Sequence, residues 1–225
     1  MNGQALAGAW DWNFAIHLPS QLWPGVEVTI ECSLGASAVA IVLGLIWSII
    51  RYSRVPVLSW LVAALVQILR GSPLLVQLYF AFYVLPNFGL TFSPVLTGIL
   101  GLGIYFSAFT SEVYRGAFTA IPAGQWEAAK ALGLSRTRTW WRVALPQAGR
   151  LAVPPIGNYV IAMFKDSALL SAITVQELLS TANSIASLQY RYLEPLTIAG
   201  LFYLIISYPA SRGIRYLESH MGRIS

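Results

Sequence analysis

The stretch VEVTIECSLGASAVAIVLGLIWSII, residues 26–50, decides the fold class of this chain. Its only charged residues are Glu27 and Glu31, both close to its start, and Arg51 follows directly after its end. An α-helix needs about 20 predominantly apolar residues to cross a hydrocarbon core about 30 Å thick. The stretch is long enough, so it predicts a helix that spans a membrane. Glu31 lies deeper than Glu27 and is predicted to find a partner.

The remaining sequence repeats this pattern of long apolar blocks. Hydrophobic residues make up 56% of the 225 residues and charged residues only 10%, whereas an ordinary soluble domain has about 25% charged residues. This composition excludes a soluble domain, and the blocks predict an all-α, polytopic transmembrane bundle that occupies residues 1–225 as one domain. About five spans are predicted, at approximately residues 26–50, 57–85, 95–118, 147–167 and 195–214.

Basic residues are concentrated on alternate connections between the predicted spans. Such an excess of lysine and arginine usually marks the cytoplasmic side of a membrane protein. The rule therefore predicts an outside N-terminus and a cytoplasmic C-terminus, which agrees with an odd number of spans. The basic residues are Arg51 and Arg54 after the first span, Lys130, Arg136, Arg138, Arg142 and Arg150 around the third connection, and Arg212, Arg215 and Arg223 in the tail.

Residues that usually carry enzymatic or metal chemistry are sparse. Cys32 is the only cysteine and lies inside the first block, which predicts a small buried thiol. His17 and His220 lie near opposite ends of the chain and, on the predicted topology, on opposite sides of the membrane. No zinc spacing, phosphate-binding loop or nucleophile motif is present in the sequence. The sequence therefore predicts no catalytic residue, no metal site and no cofactor in this chain.

One long hydrophilic connection, EAAKALGLSRTRTWWRVALP at residues 127–146, interrupts the apolar pattern. Strong helix formers precede Gly133, which predicts a helix that ends at Leu132 with Gly133 as its left-handed cap. Ser135 is predicted to cap a second helix, so that residues of approximately 123–144 form a bent pair on the cytoplasmic face. Ala128 and Ala129 lack bulk and would let another surface approach closely. The residues alone leave open the alternative of an inert, solvated loop.

The order of residues in this connection resembles the EAA signature of ABC importer permeases. The matching residues are Glu127, Ala128, Ala129, Gly133, Leu145 and Pro146, and Val143 stands where the usual form has isoleucine. Three further stretches are similar to permeases of the polar amino-acid uptake family, which includes those for histidine, glutamate, arginine and ectoine. They are RGSPLLVQLYFAFY (70–83), SEVYRGAFTAIPAGQ (111–125) and NYVIAMFKDSALLSAITVQEL (158–178), so the resemblance covers most of the chain.

This resemblance implies the type I ABC importer permease architecture in the bacterial inner membrane. It implies a non-catalytic subunit that forms the translocation pathway for a polar amino acid or a related zwitterionic solute. The implied partners are a solute-binding protein, a second permease (identical or paralogous), membrane lipid, and a separate ATP-binding-cassette subunit that uses ATP and Mg. No nucleic-acid partner is implied. The implied ATPase-coupling residues are Glu127, Ala128, Ala129, Lys130, Gly133, Arg136 and Arg138.

Charged and amide side chains within the blocks are the candidates for a solute pathway or gate. Arg70 lies about 24 Å along a straight helix from Arg54, which predicts a position inside the bilayer or in a break at RGSP. It would then face protein or a water-filled cavity, or cap carbonyl groups at the kink. Glu112 and Arg115 are three residues apart and are predicted to pair, as structural or gate residues.

The end of the fourth block holds the other candidates. Lys165 and Asp166 would offer both charges to a zwitterion near the outer end of the pathway, or form an ion pair or a helix cap. Asn158 follows Pro154 and Pro155, where its amide could bind freed carbonyl groups or contact the solute. An ion-coupled secondary carrier is an alternative, but such carriers usually contain internal repeats and none is visible here. A permease for an ectoine-type compatible solute is another, and a membrane scaffold whose basic loop recruits a soluble partner is a third.

Overall fold

The structure is a computed structural model that describes residues 10–53 and 55–221. Arg54 and Arg223, which belong to the predicted charge asymmetry, lie outside the described residues, and the side chain of His220 is also outside them. The described residues form helices and no strands, as predicted. Four long helices and one bent pair occupy the predicted apolar blocks. The long helices are α2 (Leu18–Ser53), α5 (Pro94–Thr119), α8 (Leu145–Asp166) and α10 (Leu193–Met221), and a short helix α1 (Trp12–Ala15) precedes them.

Three of these helices, α2, α5 and α10, are long and apolar enough to cross a membrane. The bent pair would be a fourth crossing if its two halves form one span. Helix α8 has 22 residues, but its polar ends and internal prolines make it less apolar than these three helices, and it is not counted with them. The prediction of about five spans therefore corresponds to five helical segments, three or four of which are apolar enough to cross.

The bent pair consists of α3 (Pro56–Gly71) and α4 (Leu74–Tyr79), and a π-helical turn and a 3-10 turn extend α4 to Phe88. The helix axis bends by 107° between the two halves, which confirms the predicted break at RGSP. Pro73 removes a backbone N–H donor at this point. The Gln77 amide nitrogen binds the freed carbonyl groups, donating to the oxygen of Leu69 at 2.8 Å and to that of Ser72 at 3.3 Å. Gln77, and not Arg70, is thus the residue that caps the kink.

Helix α3 lies across the bundle and not along it. Near its start the Ser59 hydroxyl donates to the carbonyl oxygen of Ile50 at 2.9 Å. At its end Arg70 Nη1 lies 3.5 Å from Glu112 Oε1, the same oxygen that Arg51 Nη1 contacts at 2.7 Å. Both ends of α3 are therefore level with the last turn of α2. Arg70 lies at the break, which is one of the two positions predicted for it, and the chain turns there before it re-enters the bundle.

Small residues let α5 pack closely on α2 and α4 at the centre of the fold. A Cβ atom at Gly103 would lie 2.6 Å from Val39 Cβ, and one at Gly101 would lie 2.6 Å from Leu78 Cδ2. The Thr110 hydroxyl donates to the carbonyl oxygen of Ala40 at 2.7 Å across the contact between α2 and α5. Gly98, Gly101 and Gly103 thus allow α5 to pack closely on its neighbours. Cys32 is completely buried in this core, as predicted.

The mixed stretch between α8 and α10 forms a 3-10 helix (Ser167–Ile173) and the short helix α9 (Leu178–Gln189). Glu177 precedes α9 and is completely buried. Its carboxylate accepts the backbone N–H groups of Leu179 at 2.7 Å and Ser180 at 2.6 Å, and the hydroxyl of Tyr203 donates to it at 2.9 Å. The Leu178 N–H donates to the hydroxyl oxygen of Thr29 at 3.0 Å. These bonds join α9 to both α2 and α10.

Candidate functional site

The hydrophilic connection folds as the predicted bent helix pair. Helix α6 (Ala123–Ala131) is followed by Leu132 and then by Gly133, whose φ is +68°. The Gly133 N–H donates to Lys130 O at 3.0 Å and the Leu134 N–H donates to Ala129 O at 3.1 Å. These are the two hydrogen bonds of a left-handed glycine C-cap. The Ser135 hydroxyl accepts the Arg138 N–H at 3.4 Å and caps the next helix, α7 (Arg136–Thr139), as predicted.

An aromatic cluster of Tyr52, Phe118, Trp126 and Trp140 holds this helix pair on the bundle. The Trp140 ring centroid lies 5.0 Å from Tyr52, 5.2 Å from Phe118 and 5.6 Å from Trp126, all edge to face. Offset and edge-to-face contacts of this kind stabilise by about 0.5–1.5 kcal/mol beyond the area they bury. Trp140 packs on these protein rings, whereas Trp141 is exposed. The cluster connects α6 and α7 to the ends of α2 and α5.

The outward face of the helix pair carries most of the predicted coupling residues. Ala129 differs, since it is buried against the chain itself and does not face outward with Ala128. Leu132 projects at the bend and is 78% exposed. Four charged residues of the α6–α7 pair are exposed, and none of the four forms an ion pair within the described ranges. Their charges are therefore available to another surface. These residues are Glu127, Lys130, Arg136 and Arg138.

Three arginines converge on the carboxylate of Glu112. Arg51 Nη1 lies 2.7 Å from Oε1, Arg70 Nη1 lies 3.5 Å from the same oxygen, and Arg115 Nη2 lies 2.7 Å from Oε2. The predicted pairing of Glu112 with Arg115 is confirmed, and the cluster ties α2, α3 and α5 together. The sequence did not predict the participation of Arg51, because only the packing of α2 on α5 brings this residue to Glu112. These four residues are called the Glu112 cluster below.

The match to known proteins covers most of the chain. Residues 40–223 match the family described as binding-protein-dependent transport system inner membrane component. The chain belongs to this family. It is therefore an inner-membrane protein that crosses the bilayer several times.

Individual relatives agree with this assignment. The chain is 40% identical to a probable amino-acid ABC transporter permease of Sinorhizobium fredii, over 92% of this chain and 90% of the relative. It is 38% identical to a probable glutamine ABC transporter permease of Bacillus subtilis, over 88% of this chain and 92% of the relative. Among solved structures, a crystal structure of an amino acid ABC transporter with histidines matches with a TM-score of 0.87 and 28% identity, covering 95% of this chain and all of that chain.

In this family member, a row of aromatic rings leads from the Glu112 cluster toward α8. The Arg70 guanidinium carbon lies 5.4 Å from the centroid of the Phe109 ring. Phe109 contacts Tyr105 at 5.1 Å and Tyr159 at 5.7 Å between centroids. Asp166 lies two helical turns beyond Tyr159 on the same face of α8. The rings thus lie between Arg70 on α3 and the segment of α8 that ends at Asp166.

The remaining α8 candidates are not part of this row. Asn158 and Lys165 are both exposed and share a face of the helix next to the one that carries Tyr159 and Asp166. Lys165 and Asp166 form no ion pair with each other within the described part of the chain. Helix α8 continues through Pro154 and Pro155. The structure brings Arg70 and Glu112 to one end of the aromatic row and places Asp166, Asn158 and Lys165 on α8.

A second charged cluster lies at the opposite end of α2, where Asp11 and Glu194 flank Arg191. Arg191 Nη1 lies 2.9 Å from Asp11 Oδ2, and its guanidinium lies over the Phe14 ring at 5.3 Å. Hydrogen bonds from the backbone N–H of Phe14 and from Arg191 hold the pKa of Asp11 below its usual value. Glu194 pairs with Arg191, whereas Glu177 is turned toward Tyr203. Glu31, predicted to find a partner, is exposed and forms no ion pair among the described residues.

Proposed function

We propose that this chain is the permease subunit of an ATP-driven importer that carries a polar amino acid or a related zwitterionic solute. The observation that carries the proposal is the rigid α6–α7 bend, which presents unpaired charges in a chain whose relatives are amino-acid ABC transporter permeases. The chain itself is non-catalytic, and a separate ATP-binding-cassette subunit hydrolyses ATP with Mg. A solute-binding protein delivers the substrate, and a second permease completes the pathway.

The α6–α7 pair docks on the ATPase subunit from the cytoplasm, and the N-terminus lies outside. Glu127, Lys130, Arg136 and Arg138 are exposed and lack ion-pair partners in the described part of the chain, so they can pair with charged groups of the ATPase. Pairs formed in a protected interface gain more than pairs on an open surface. Ala128 lets the two backbones approach closely.

The motion of the ATPase reaches the spans through the aromatic cluster. Trp126 of α6 contacts Trp140, which follows α7, and the Trp140 ring contacts Tyr52 of α2 and Phe118 of α5. A displacement of α6 therefore moves the ends of two spans together. Ala129 contributes from inside, since its small side chain lets α6 lie close to the bundle.

The solute passes along the aromatic surface between the two charged ends. The Glu112 cluster forms the inner gate, and Asp166 attracts the ammonium group of the solute. Asn158 and Lys165 stand on the neighbouring face of α8, about 100° around the helix from Tyr159 and Asp166. Arg70 offers the opposite charge at the other end of the row, 5.4 Å from the Phe109 ring.

Uptake in reconstituted vesicles tests this proposal. Vesicles that contain the complete transporter would be supplied with binding protein and a radiolabelled mixture of amino acids, with ATP or a non-hydrolysable analogue inside. Uptake should require hydrolysable ATP and be insensitive to collapse of ion gradients. Uptake driven by a gradient in vesicles without the ATPase subunit would instead identify a secondary carrier. A matched sample with ectoine in place of amino acids separates the two solute classes.

A further inference from the structure

Two residues that carry side chains hold a left-handed backbone conformation, and they lie on either side of α9. Thr174 has a φ of +66° and follows the 3-10 helix, and Tyr190 has a φ of +53° and follows α9. Among the described residues, these are the two non-glycine residues with a positive φ. The left-handed region favours glycine, and a β-branched residue such as threonine is a genuine outlier there. The backbone at Thr174 is therefore strained.

The side chain of Thr174 gives no local reason for this strain. It is exposed, and its hydroxyl forms no hydrogen bond in the described part of the chain. The backbone is held by its neighbours, since the Thr174 N–H donates to Ser171 O at 3.1 Å and the Val175 N–H donates to Leu170 O at 3.2 Å. Ile173 and Val175, on either side, are buried. Glycine would make the same backbone bonds without strain, so threonine adds an energy cost and no contact.

The 3-10 helix that Thr174 follows is seated between α4 and α5 at the end of the bundle opposite α6. Leu170 of this helix is completely buried, and a Cβ atom at Gly98 would lie 2.9 Å from Leu170 Cδ1. Gly98 lies in the second turn of α5, whereas Phe118 in its last turn belongs to the aromatic cluster beside α6. The 3-10 helix therefore fills the bundle at the end far from the proposed ATPase contact.

Thr174 joins this 3-10 helix to a more firmly anchored segment. On one side, three hydrogen bonds hold the carboxylate of Glu177 to α9 and to Tyr203. On the other side, the Tyr83 hydroxyl reaches the carbonyl oxygen of Ala172 at 3.4 Å, which is a long hydrogen bond. The 3-10 helix thus rests mainly on apolar packing. If it leaves its seat while Glu177 stays fixed, the backbone of Thr174 is free to leave the left-handed region.

We propose that the strained turn at Thr174 favours release of the 3-10 helix from its seat between α4 and α5. The strain raises the free energy of the seated state and is relieved on release, so the released state is more populated than it would be with glycine at this position. Release opens the bundle at the end opposite α6, where the proposed importer receives its solute. Only this last step rests on the proposed function, because the equilibrium between the seated and released states exists without a solute.

Hydrogen exchange in the complete transporter, embedded in lipid discs and read by mass spectrometry, tests the effect of the strain. The Val175 N–H exchanges when its bond to Leu170 O opens, so it reports release of the 3-10 helix. Thr174→Gly should slow this exchange about tenfold, which corresponds to about 1.4 kcal/mol. Tyr190→Gly removes the other left-handed side chain, at the far end of α9, and is the matched control that should leave the exchange unchanged. Unchanged or faster exchange in Thr174→Gly would overturn the proposal, since glycine would then act only by adding flexibility.

Uptake by the same variants shows whether release belongs to the transport cycle. Thr174→Gly should lower the maximal rate of ATP-driven uptake severalfold, whereas Tyr190→Gly should import as the unmodified chain does. Thr174→Asn should lie between threonine and glycine in both measurements, because asparagine tolerates the left-handed region better than threonine. Slower exchange with unchanged uptake would overturn the role in transport. Absence of ATP-driven uptake in the unmodified transporter would refute the proposed function instead, and the exchange rates would still decide whether the strain favours release.

Discussion

Glu112 is the residue on which three helices converge. It is partly buried, and both of its carboxylate oxygens accept arginine donors. Glu112→Gln leaves three arginines close together without their counter-charge, so we expect the free energy of unfolding to fall by about 1–3 kcal/mol. Thermal unfolding in detergent measures the loss. The double variant with Arg51→Gln removes one of the repelling charges and should recover part of it, whereas additive losses would mean that the two residues act independently.

Asp11 makes the cluster at the other end of α2 sensitive to acid. The backbone N–H of Phe14 and the guanidinium of Arg191 lower the pKa of Asp11 from its ordinary 3.8. A carboxyl group with a lowered folded-state pKa stabilises the fold above the unfolded value, and this contribution is lost as the pH falls through the folded value. Asp11→Asn should therefore unfold at a lower temperature than the unmodified chain at neutral pH.

The difference between these two proteins should close as the pH falls below about 4. Thermal unfolding scans between neutral and acidic pH measure it. Glu218→Gln, which removes an exposed carboxylate from α10, is the control and should show little difference at any pH. A gap for Asp11→Asn that stays constant in acid would mean that the carboxylate charge does not act here.

Among the helices, the α6–α7 bend depends on one backbone conformation. Gly133 has a φ of +68° and open space around it, so a side chain is opposed by backbone strain and not by a clash. Gly133→Val imposes a β-branched residue on a conformation that costs it about 1–3 kcal/mol. The strain is relieved by reorienting α7 relative to α6. We expect the spans to insert normally while the number of solutes imported per ATP hydrolysed falls by roughly tenfold, which corresponds to about 1.4 kcal/mol.

A glycine inside α6 provides the matched control for this change. Gly124 also has open space around it, but its φ is in the ordinary range. Gly124→Val should leave the ratio of uptake to hydrolysis nearly unchanged. The ratio is measured in vesicles by counting radiolabelled solute and released phosphate together. An equal fall in both variants would assign the effect to added bulk on the docking face.

Some helix features follow from neighbouring residues alone, and these were predicted correctly. Gly133 and Ser135 cap their helices through contacts within four residues, so the order of residues specifies the bend. The break at RGSP is equally local, because Pro73 lacks an N–H. By contrast, the burial of Ala129 depends on which face of α6 meets the bundle. Residue spacing does not determine this, since the face is chosen by Trp126 and its distant partners.

Contacts between distant segments account for the features that residue spacing did not specify. Helix rise left two positions open for Arg70, inside the bilayer or at the break, and did not give the direction of α3. The direction of α3 is instead fixed by Ile50, Glu112 and the break, residues that are far apart in sequence. Arg51 joins Glu112 because α2 packs on α5, although its position in the sequence marks it only as a basic residue at the end of a span. Gln77 gave no sequence signal, because its role exists only where the chain bends.

For the whole molecule, the predicted orientation determines which end meets the ATPase. Cys32 is the only cysteine and is buried, so Cys32→Ser gives a background in which single cysteines report exposure to either side. Lys130→Cys on α6 and Gln189→Cys at the end of α9 are both at exposed positions. A membrane-impermeant maleimide added to intact cells should label the second and not the first.

Permeabilised cells provide the control, since both cysteines should then react. The expectation follows from the concentration of lysine and arginine around α6, which a cytoplasmic location accommodates. Uptake by the Cys32→Ser background must match the unmodified chain, so that the labelled protein is the working one. Labelling of Lys130→Cys in intact cells would place α6 outside. The charged face of the α6–α7 pair would then be out of reach of any subunit that uses cytoplasmic ATP, and the coupling role proposed for Gly133 would fail with it.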